Sequence, residues 1–506
     1  MPDVVSIDPR TGSIAEVVGP TTTTQEVGAL CTAAAAAAPE LERLGRAGRA
    51  VVLRAMADAL EASGADIIAV ADRETGIGPT RLSGELKRTC YQLRLFAEVL
   101  EDGGYLEATI DHAGDTPMGP RPDLRRLLVP IGPVAVFGSS NFPLAFSVPG
   151  GDTASALAAG SPVILKAHSS HPATSALCFE LLLQGARAGG APEGTIGIVY
   201  GQRAGSALVA HPAIKAVGFT GSLGGGGALM KIIAEREEPI PFYGELSSLN
   251  PVVITDAAAA ERGATIGAGL VASFTVAAGQ LCTKPGLVFL PTGSAGDGVV
   301  EAMTTALADV PEQVLLNERI FTDFASGVAT LRASSGMAVI HGGTPLNRGA
   351  GFHVAAQLVQ IDAADLTGGS VDEHFGPVTV VARYAGTDQL ERVLGELPAS
   401  LTATVHSEPA DADYVAELST LLRARAGRLI YDGYPTGVAV AWAQHHGGPW
   451  PSTNSLHTSV GPTAIRRFLR PVTWQDAPAH VLPAELRDDV KDIPRRVDGT
   501  LLPAID

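Results

Sequence analysis

Residues 127–143 read LLVPIGPVAVFGSSNFP, and three further short apolar runs follow at intervals: SPVILK (161–166), TIGIVYG (195–201) and AIKAVGFT (213–220). Each is of strand length and is closed by a polar or glycine-rich turn. Between them lie helix-like stretches, DTASALAAG (152–160) and ATSALCFELLLQGARAGG (173–190). Strands alternating with helices make βαβ units, hence an α/β fold whose parallel sheet is covered on both faces. Ligands of such sheets bind at the carboxyl ends of the strands, where these turns lie.

Upstream, the first hundred residues read as helices. Ala33–Ala38 is an alanine run of high helix propensity. Segments 43–63 and 85–101 carry apolar residues at helical spacing. The stretch DHAGDTPMGPRPDLR (111–125) breaks that pattern and reads as an excursion or linker. Downstream of 246 a less regular α/β unit follows: NPVVIT, PGLVFLP, MAVIHGG, FGPVTVVARY, TATVHS and GRLIYDG. The tail is polar and turn-rich through HHGGPWPSTNSLHTSVG (445–461), then ends in AIRRFLRPVTWQ (464–475) and beyond.

The chain has 506 residues, of which 46% are hydrophobic and 18% charged, enough to bury a large core. That length is about three times a usual domain of about 150 residues, so two or three domains are expected. Thirty-six Lys and Arg against 53 Asp and Glu leave −17, the wrong sign for broad contact with nucleic acid. Cys31, Cys90, Cys178 and Cys282 lie far apart, the profile of a reduced compartment in which a single thiol can act. No signal peptide is read in MPDVVSIDPRTG. Gly263–Cys282 contains no charged residue, yet it is built of Gly, Ala, Ser, Thr and Gln, so a helix buried in protein is expected rather than a membrane span. A soluble, cytoplasmic protein is expected.

Several residues in the turns carry chemistry. Cys282, in GQLCTKPG, is either a buried structural cysteine or a nucleophile delivered to a cleft, with Lys284 favouring the thiolate if it points inward. Glu245, in FYGELSSLNP, is either a solvated carboxylate or a general base whose apolar surroundings raise its pKa. FTGSLGGGG (219–227) places a glycine-rich turn between a strand and a helix. It is either a flexible turn or an approach to a pyrophosphate, and it is not the GxGxxG fingerprint. Asn141 is an oxyanion donor or part of an Asn-Phe-Pro turn. Lys166, His168 and Ser169 are placed to meet a ribose or phosphate, with a helix N-cap at Ser169 or Ser170 as the alternative. His445 and His446 are adjacent, so their side chains diverge, and no third ligand is spaced nearby. No metal is expected.

In their order, PIGPVAVFGSSNFP, ILKAHSSHP, GFTGS, ELSSLNP, GQLCTKPG and EHFGPV resemble the motifs of the aldehyde dehydrogenase superfamily over residues 130–380. GELKRTCYQLRLFAEVL near the start and HGGPWPST, TSVG and AIRRFLRPV near the end extend the likeness over nearly the whole chain, toward the α-ketoglutarate semialdehyde dehydrogenase branch. The resemblance implies Cys282 as nucleophile, Glu245 as general base and Asn141 with the Cys282 N–H as oxyanion donors. It implies Lys166 at the adenosine ribose, Gly221 and Ser222 at the pyrophosphate, and Glu373 and Phe375 at the nicotinamide. The implied reaction is oxidation of an aldehyde to an acid through a thiohemiacetal and a thioester, with 2,5-dioxopentanoate to 2-oxoglutarate as the expected case. A medium- or long-chain fatty aldehyde dehydrogenase is the alternative within the class, and a catalytically silent scaffold the alternative outside it.

Three departures refine this. Relatives often carry an acidic residue where Ser169 stands; its loss removes a repulsion and favours NADP over NAD, with Arg203 either the phosphate contact or a solvated loop arginine. Ser140 stands where many relatives have Trp. The C-terminus follows the semialdehyde branch. Arg88 and Gln92, four apart on a helix, are candidates for the substrate's carboxylate or a surface pair, and Phe142 for an apolar channel wall. The family further implies a Rossmann-type cofactor domain (1–110 and 129–245), an α/β catalytic domain (246–440) and a small oligomerisation element (111–128 and 441–506). A homodimer or dimer of dimers is expected.

Overall fold

Alternate residues of the apolar runs enter different cores. In β1 (Val134–Phe137), Val134 and Val136 belong to one buried cluster and Ala135 and Phe137 to another. In β2 (Val163–Lys166), Val163 and Leu165 divide from Ile164 in the same way. A strand apolar on both sides is what a sheet covered on both faces requires. The computed structural model describes residues 2–343, 351–366 and 372–504. In it β1, β2, β3 (Ile196–Val199), β4 (Ala216–Thr220) and β5 (Phe242–Glu245) form a wholly parallel sheet in the order β5-β4-β1-β2-β3.

The helices expected in the first hundred residues are α1 (Thr24–Arg43), α2 (Gly45–Ala62), α3 (Gly64–Thr75) and α4 (Pro79–Asp102). α1 starts in a capping box between Thr23 and Glu26. The crossovers of the sheet are α5 (Gly151–Ala159), α6 (Pro172–Ala188), α7 (Gln202–Ala210) and α8 (Leu223–Ala234). One face buries Leu53 and Met56 of α2 with Phe96 of α4 and Leu182 of α6; the other buries Val27 of α1 with Leu208 of α7 and Leu229 of α8.

The second unit is a seven-stranded sheet built the same way. Its strands are β6 (Val252–Ile254), β7 (Leu287–Pro291), β8 (Ala338–His341), β9 (Gln357–Asp362), β10 (Val378–Tyr384), β11 (Ser400–His406) and β12 (Ala426–Tyr431), in the order β8-β9-β10-β7-β6-β11-β12. All pairs are parallel except β8 with β9, an antiparallel strand at one edge. Most of the uncharged stretch forms α9 (Asp256–Thr275), which packs so closely that a Cβ on Gly267 would lie 2.8 Å from the Val299 carbonyl oxygen. No described helix is long and apolar enough to cross a membrane.

A third sheet joins distant parts of the chain, in the order Leu469–Gln475, Leu124–Pro130, Thr109–Asp111, Arg495–Val497, Thr500–Leu502. The excursion around 111–125 thus holds a short hairpin, Gly114–Thr116 with Gly119–Arg121, and feeds a strand of this sheet. Residues 445–461 behave differently from the rest of the tail. Thr453 forms a β-bridge with Glu245, and the Leu246 N–H donates to the Ser452 carbonyl at 2.8 Å, drawing this segment back onto the first sheet.

The start of α6 corrects one alternative. Neither Ser169 nor Ser170 caps it; the N-cap is His171, without a side-chain bond, and the Ser170 hydroxyl instead accepts from Asn317 at 2.6 Å. Capping comes from afar, from the fully buried Glu74 of α3. Its carboxylate accepts from the Ala173 and Thr174 N–H groups at 2.8 and 2.7 Å and from the Thr174 hydroxyl at 2.6 Å. Glu74→Ala, which strands those donors in the core, is expected to lower unfolding stability by about 2–4 kcal/mol, read as a fall in the urea midpoint at unchanged slope.

Candidate active site

Strand register brings distant residues to one edge. Phe137 pairs with Lys166 on one side and Phe219 on the other, and Thr220 pairs with Glu245, so Lys166 and Glu245 both end strands at the carboxyl edge of the first sheet. The Gly221 N–H donates to the Glu245 carbonyl at 3.0 Å, tying the glycine-rich turn to the end of β5.

Cys282 reaches the same place from the second unit. Beyond α9 the chain turns through Ala277, Ala278 and Gly279, all left-handed, with φ of 56°, 55° and 64°. A Cβ on Gly279 would lie 2.2 Å from the Gly376 carbonyl oxygen, so only glycine allows the EHFGP segment to lie against this turn. Asn250 then pins the thiol's own residue. Its amide nitrogen donates to the Cys282 and Lys284 carbonyls at 2.8 and 2.9 Å, and its oxygen accepts from the Ser248 hydroxyl and from the N–H and hydroxyl of Thr402. Asn141 is anchored two residues away, donating one amide hydrogen to the Gln280 carbonyl at 2.8 Å. The other hydrogen of that NH2 stays available.

Around the thiol three groups converge. Cys282 Sγ lies 3.6 Å from His446 Nε2, and the same nitrogen lies 3.0 Å from Glu245 Oε1. The Ser459 hydroxyl donates to Glu245 Oε2 at 3.0 Å. The expectation of a raised Glu245 pKa is corrected. Burial does raise it, but the charge and hydrogen bond of His446, with hydrogen bonds from Cys282 and Ser459, outweigh burial and hold it below the usual carboxylate range. Burial and the Glu245 charge push the Cys282 thiol well above its ordinary value. An ionised carboxylate therefore faces a protonated thiol, a base beside a latent nucleophile.

Lys284 does not point at the thiol. Buried to 3% exposure, its ammonium donates to the His374 and Val378 carbonyls at 2.7 and 2.8 Å, holding the EHFGP segment. Glu373 in that segment is raised by burial, offset by hydrogen bonds from Ser247 and the Ser248 backbone and by the Lys284 charge. Phe375 beside it is half-buried.

The residues expected at a dinucleotide divide into two kinds. Lys166 is half-buried, and its ammonium has no hydrogen bond or ion pair among the described residues. α8 carries four successive glycines after Leu223; Ser222 caps it, its hydroxyl accepting from the Gly225 N–H at 3.2 Å, and a Cβ on Gly224 or Gly227 would meet nothing within 4 Å, so the space over this turn is open. A free cation and an open helix N-terminus on one sheet edge fit a pyrophosphate ligand with its ribose. Ser169 and Arg203 are exposed, and Arg203 opens α7 two residues before Gly205, where a Cβ would lie 3.4 Å from Lys166 Cγ. His168 is engaged elsewhere: its Nδ1 accepts from the Ser170 N–H at 3.1 Å, and burial lowers its pKa.

Arg88, Gln92 and Phe142 are the residues expected at the substrate. Arg88 Nη1 donates to the Val438 carbonyl, while Nε and Nη2 are buried without partners; Gln92 Nε2 is likewise unpartnered. The Arg88 guanidinium packs over the Phe146 ring at 5.3 Å, and Phe142 meets Phe146 edge-on at 5.1 Å. Ser140, half-buried, precedes Asn141. Asn250 and Arg428 escape sequence reasoning, and His446 enters it only as a rejected metal ligand. Asn250 lies within ELSSLNP, but its partners in β11 carry no local signal. His446 is 164 and 201 residues from its two partners, beyond any motif spacing. Arg428 stands on β12, near enough to Cys282 for the two groups to interact electrostatically, and burial lowers its pKa.

Asn250→Ala removes the bonds to the Cys282 and Lys284 carbonyls and unpairs Ser248 and Thr402. The expected cost is about 3–4 kcal/mol of unfolding stability in a urea titration, with faster alkylation of the Cys282 thiol in the folded variant.

Residues 2–471 match the aldehyde dehydrogenase family. Among curated relatives, alpha-ketoglutaric semialdehyde dehydrogenase 2 of Azospirillum brasilense is 46% identical over 464 residues, covering 90% of this chain and 87% of that protein. The alpha-ketoglutaric semialdehyde dehydrogenase of Acinetobacter baylyi is 41% identical over 459 residues, with 90% and 87% covered. Among solved structures, methylmalonate-semialdehyde dehydrogenase from Oceanimonas doudoroffii superposes with a TM-score of 0.81 at 20% identity, covering 95% of this chain and 96% of that one, which is a likeness of fold. With the family matched over nearly its whole length and relatives this similar, the chain belongs to the aldehyde dehydrogenase family.

Proposed function

We propose that the protein oxidises 2,5-dioxopentanoate (α-ketoglutarate semialdehyde) to 2-oxoglutarate, with NADP preferred to NAD. The observation that carries this reading is the Cys282 thiol on its pinned turn, clustered with an ionised Glu245 and flanked by the Asn141 amide. The two relatives at 41–46% identity support the substrate.

Glu245, which accepts the thiol's hydrogen bond, takes its proton as Cys282 adds to the aldehyde carbon. The developing oxyanion of the thiohemiacetal is received by the free amide hydrogen of Asn141 and the Cys282 N–H. When bound, the nicotinamide cofactor accepts the hydride lost from that carbon. Cys282 then carries the acyl group as a thioester, whose thiolate is a good leaving group. Glu245, its proton passed to solvent, draws another from water, and hydrolysis releases the acid and restores the thiol.

Lys166 would hold the adenosine ribose, the Gly221–Ser222 turn the pyrophosphate, and Glu373 with Phe375 the nicotinamide end. The preference for NADP is supported by the lack of a carboxylate at 169 and by the exposed, unpaired Arg203 beside the Lys166 edge. This gives the first sheet and α1–α8 the cofactor role and the second sheet the catalytic one. We assign the third sheet to contact between copies in a homo-oligomer. Its outer strands, Leu469–Gln475 and Thr500–Leu502, each pair on one side only among the described residues, and Leu501 is 64% exposed.

The carboxylate of the substrate is assigned to Arg88 and Arg428. Arg428 donates to the Gly437 and Pro435 carbonyls at 2.9 and 2.7 Å, and its Nε is buried without a partner, as are two nitrogens of Arg88. Both guanidiniums brace the loop at 435–438. Glu85 partly offsets the Arg88 charge, but its Oε1 is engaged by the Leu144 and Ala145 N–H groups, and no ion pair forms. Buried donors without acceptors are costly, and a carboxylate supplies charge-assisted partners.

The test is reduced-cofactor formation by purified protein with NADP or NAD, on 2,5-dioxopentanoate and on straight-chain aldehydes. The dioxo acid with NADP should give the highest kcat/KM. Cys282→Ala should abolish turnover, and Glu245→Gln should lower kcat about 10²–10⁴-fold; Cys282-independent turnover would sink the reading. Arg88→Ala and Arg428→Ala should each lower kcat/KM for the dioxo acid about 10–100-fold, with pentanal nearly unaffected. A wild-type preference for long aldehydes would keep the mechanism and discard this substrate.

A further inference from the structure

We propose that Cys282, His446 and Glu245 form a reversible binding site for a divalent ion of the zinc class, and that occupation of this site and turnover exclude one another. The three ligand atoms, one sulfur, one nitrogen and one oxygen, all lie within 4.8 Å of one another. A zinc ion about 2.3 Å from sulfur and about 2.0–2.1 Å from nitrogen holds those two atoms about 3.6 Å apart at the tetrahedral angle. Cys282 Sγ and His446 Nε2 already stand 3.6 Å apart. Nitrogen and carboxylate oxygen at their zinc distances sit about 3.4 Å apart. His446 Nε2 and Glu245 Oε1 are 3.0 Å apart, a few tenths of an ångström short of that spacing.

The surroundings are those of a ligand set already oriented. The Ser459 hydroxyl holds Glu245 Oε2 and leaves Oε1 to face the cluster, while the Thr458 hydroxyl accepts from the His446 backbone N–H at 2.8 Å and the Asn250 amide holds the Cys282 carbonyl, fixing the main chain of both residues. An outer partner such as Ser459 fixes the direction of a metal ligand. Glu245 and His446 are 3% and 2% exposed, so two of the three ligands are already largely desolvated. A thiolate, an imidazole and one carboxylate select zinc-class ions over magnesium or calcium, which require oxygen ligands. Three protein ligands leave a fourth position for water.

Binding releases the thiol proton to solvent and requires His446 to give up the Nε2 hydrogen it offers Glu245, the neutral ring then carrying its hydrogen on Nδ1. It ties up the sulfur lone pair and Glu245 Oε1 together. The site stands on geometry alone; its effect on turnover rests on the reading of Cys282 as the nucleophile.

The experiment is a cobalt(II) titration of the purified, cofactor-free, full-length protein, followed by ultraviolet–visible absorption, with Zn2+ as competitor. Expected are a thiolate-to-cobalt charge-transfer band with tetrahedral ligand-field bands, displacement by Zn2+ and none by Mg2+ or Ca2+. Cys282→Ser should remove the charge-transfer band, and His446→Ala should weaken Zn2+ binding about 100-fold or more, circular dichroism confirming that each variant is folded. In the unmodified protein Zn2+ should slow iodoacetamide labelling of Cys282, the one thiol of the four that is not fully buried, and a chelator should restore both labelling and activity. A titration with no charge-transfer band, or one unchanged by His446→Ala, overturns the site. Full occupancy with undiminished turnover overturns the exclusion. Metal-free protein inactive on every aldehyde refutes the nucleophile reading instead, while the cobalt spectrum still judges the site.

Discussion

The amide of Asn250 saturates itself between two parts of the second unit that would otherwise be free to shift. Both its hydrogens go to carbonyls, one on Cys282 and one on Lys284, and its oxygen takes bonds from Ser248 and Thr402. The residue is fully buried and left-handed, with φ of 53°, a conformation that asparagine adopts more readily than most residues. Because every polar atom is used, the network has one low-energy arrangement, and the turn carrying the thiol inherits it. Lys284, in the same turn, passes the constraint on to the His374 and Val378 carbonyls and so to the EHFGP segment. Gly279 completes it by permitting the contact with Gly376.

On this fixed turn the chemistry is decided by two opposed effects. Burial alone would neutralise both Cys282 and Glu245. The carboxylate escapes because His446, Ser459 and the thiol itself all hydrogen-bond to it, whereas the thiol gains little beyond its own N–H and faces a negative neighbour. The result is a division of labour within one cluster: charge on the oxygen, proton on the sulfur. The three remaining cysteines show what burial does without such partners; it pushes Cys31 and Cys90 up to about 11 and Cys178 higher still.

Much of the fold was legible because it is local. Val134 to Phe137 and Val163 to Leu165 are apolar at every position, which only a two-sided sheet can bury, and the alanine run and the helical spacing of 85–101 each became a helix. The candidate site was legible where a residue ends an apolar run, as Lys166 ends SPVILK; the strand that carries Glu245 was not, and only its register with Thr220 brings the carboxylate to the same edge. Electrostatics was not. Apolar neighbours in sequence suggested a raised Glu245, but the groups that lower it come from 37, 201 and 214 residues away, too far apart for any local pattern to show. Lys284 is two residues from the thiol and points away from it, since a turn can send successive side chains in opposite directions.

The amino-acid sequence by itself therefore determined the two-sided sheets, the apolar runs whose ends carry Asn141 and Lys166, and the residue types available for chemistry, because these depend on periodicity and on turns a few residues long. Only the tertiary structure decided that His446 and Ser459 meet Glu245, that Glu74 caps α6, that Asn250 pins Cys282, and that Arg88 and Arg428 brace one loop. Those pairings join segments tens to hundreds of residues apart. Hydrogen bonds are directional to within tenths of an ångström, so such pairings exist only once the packed sheets have brought the partners to contact.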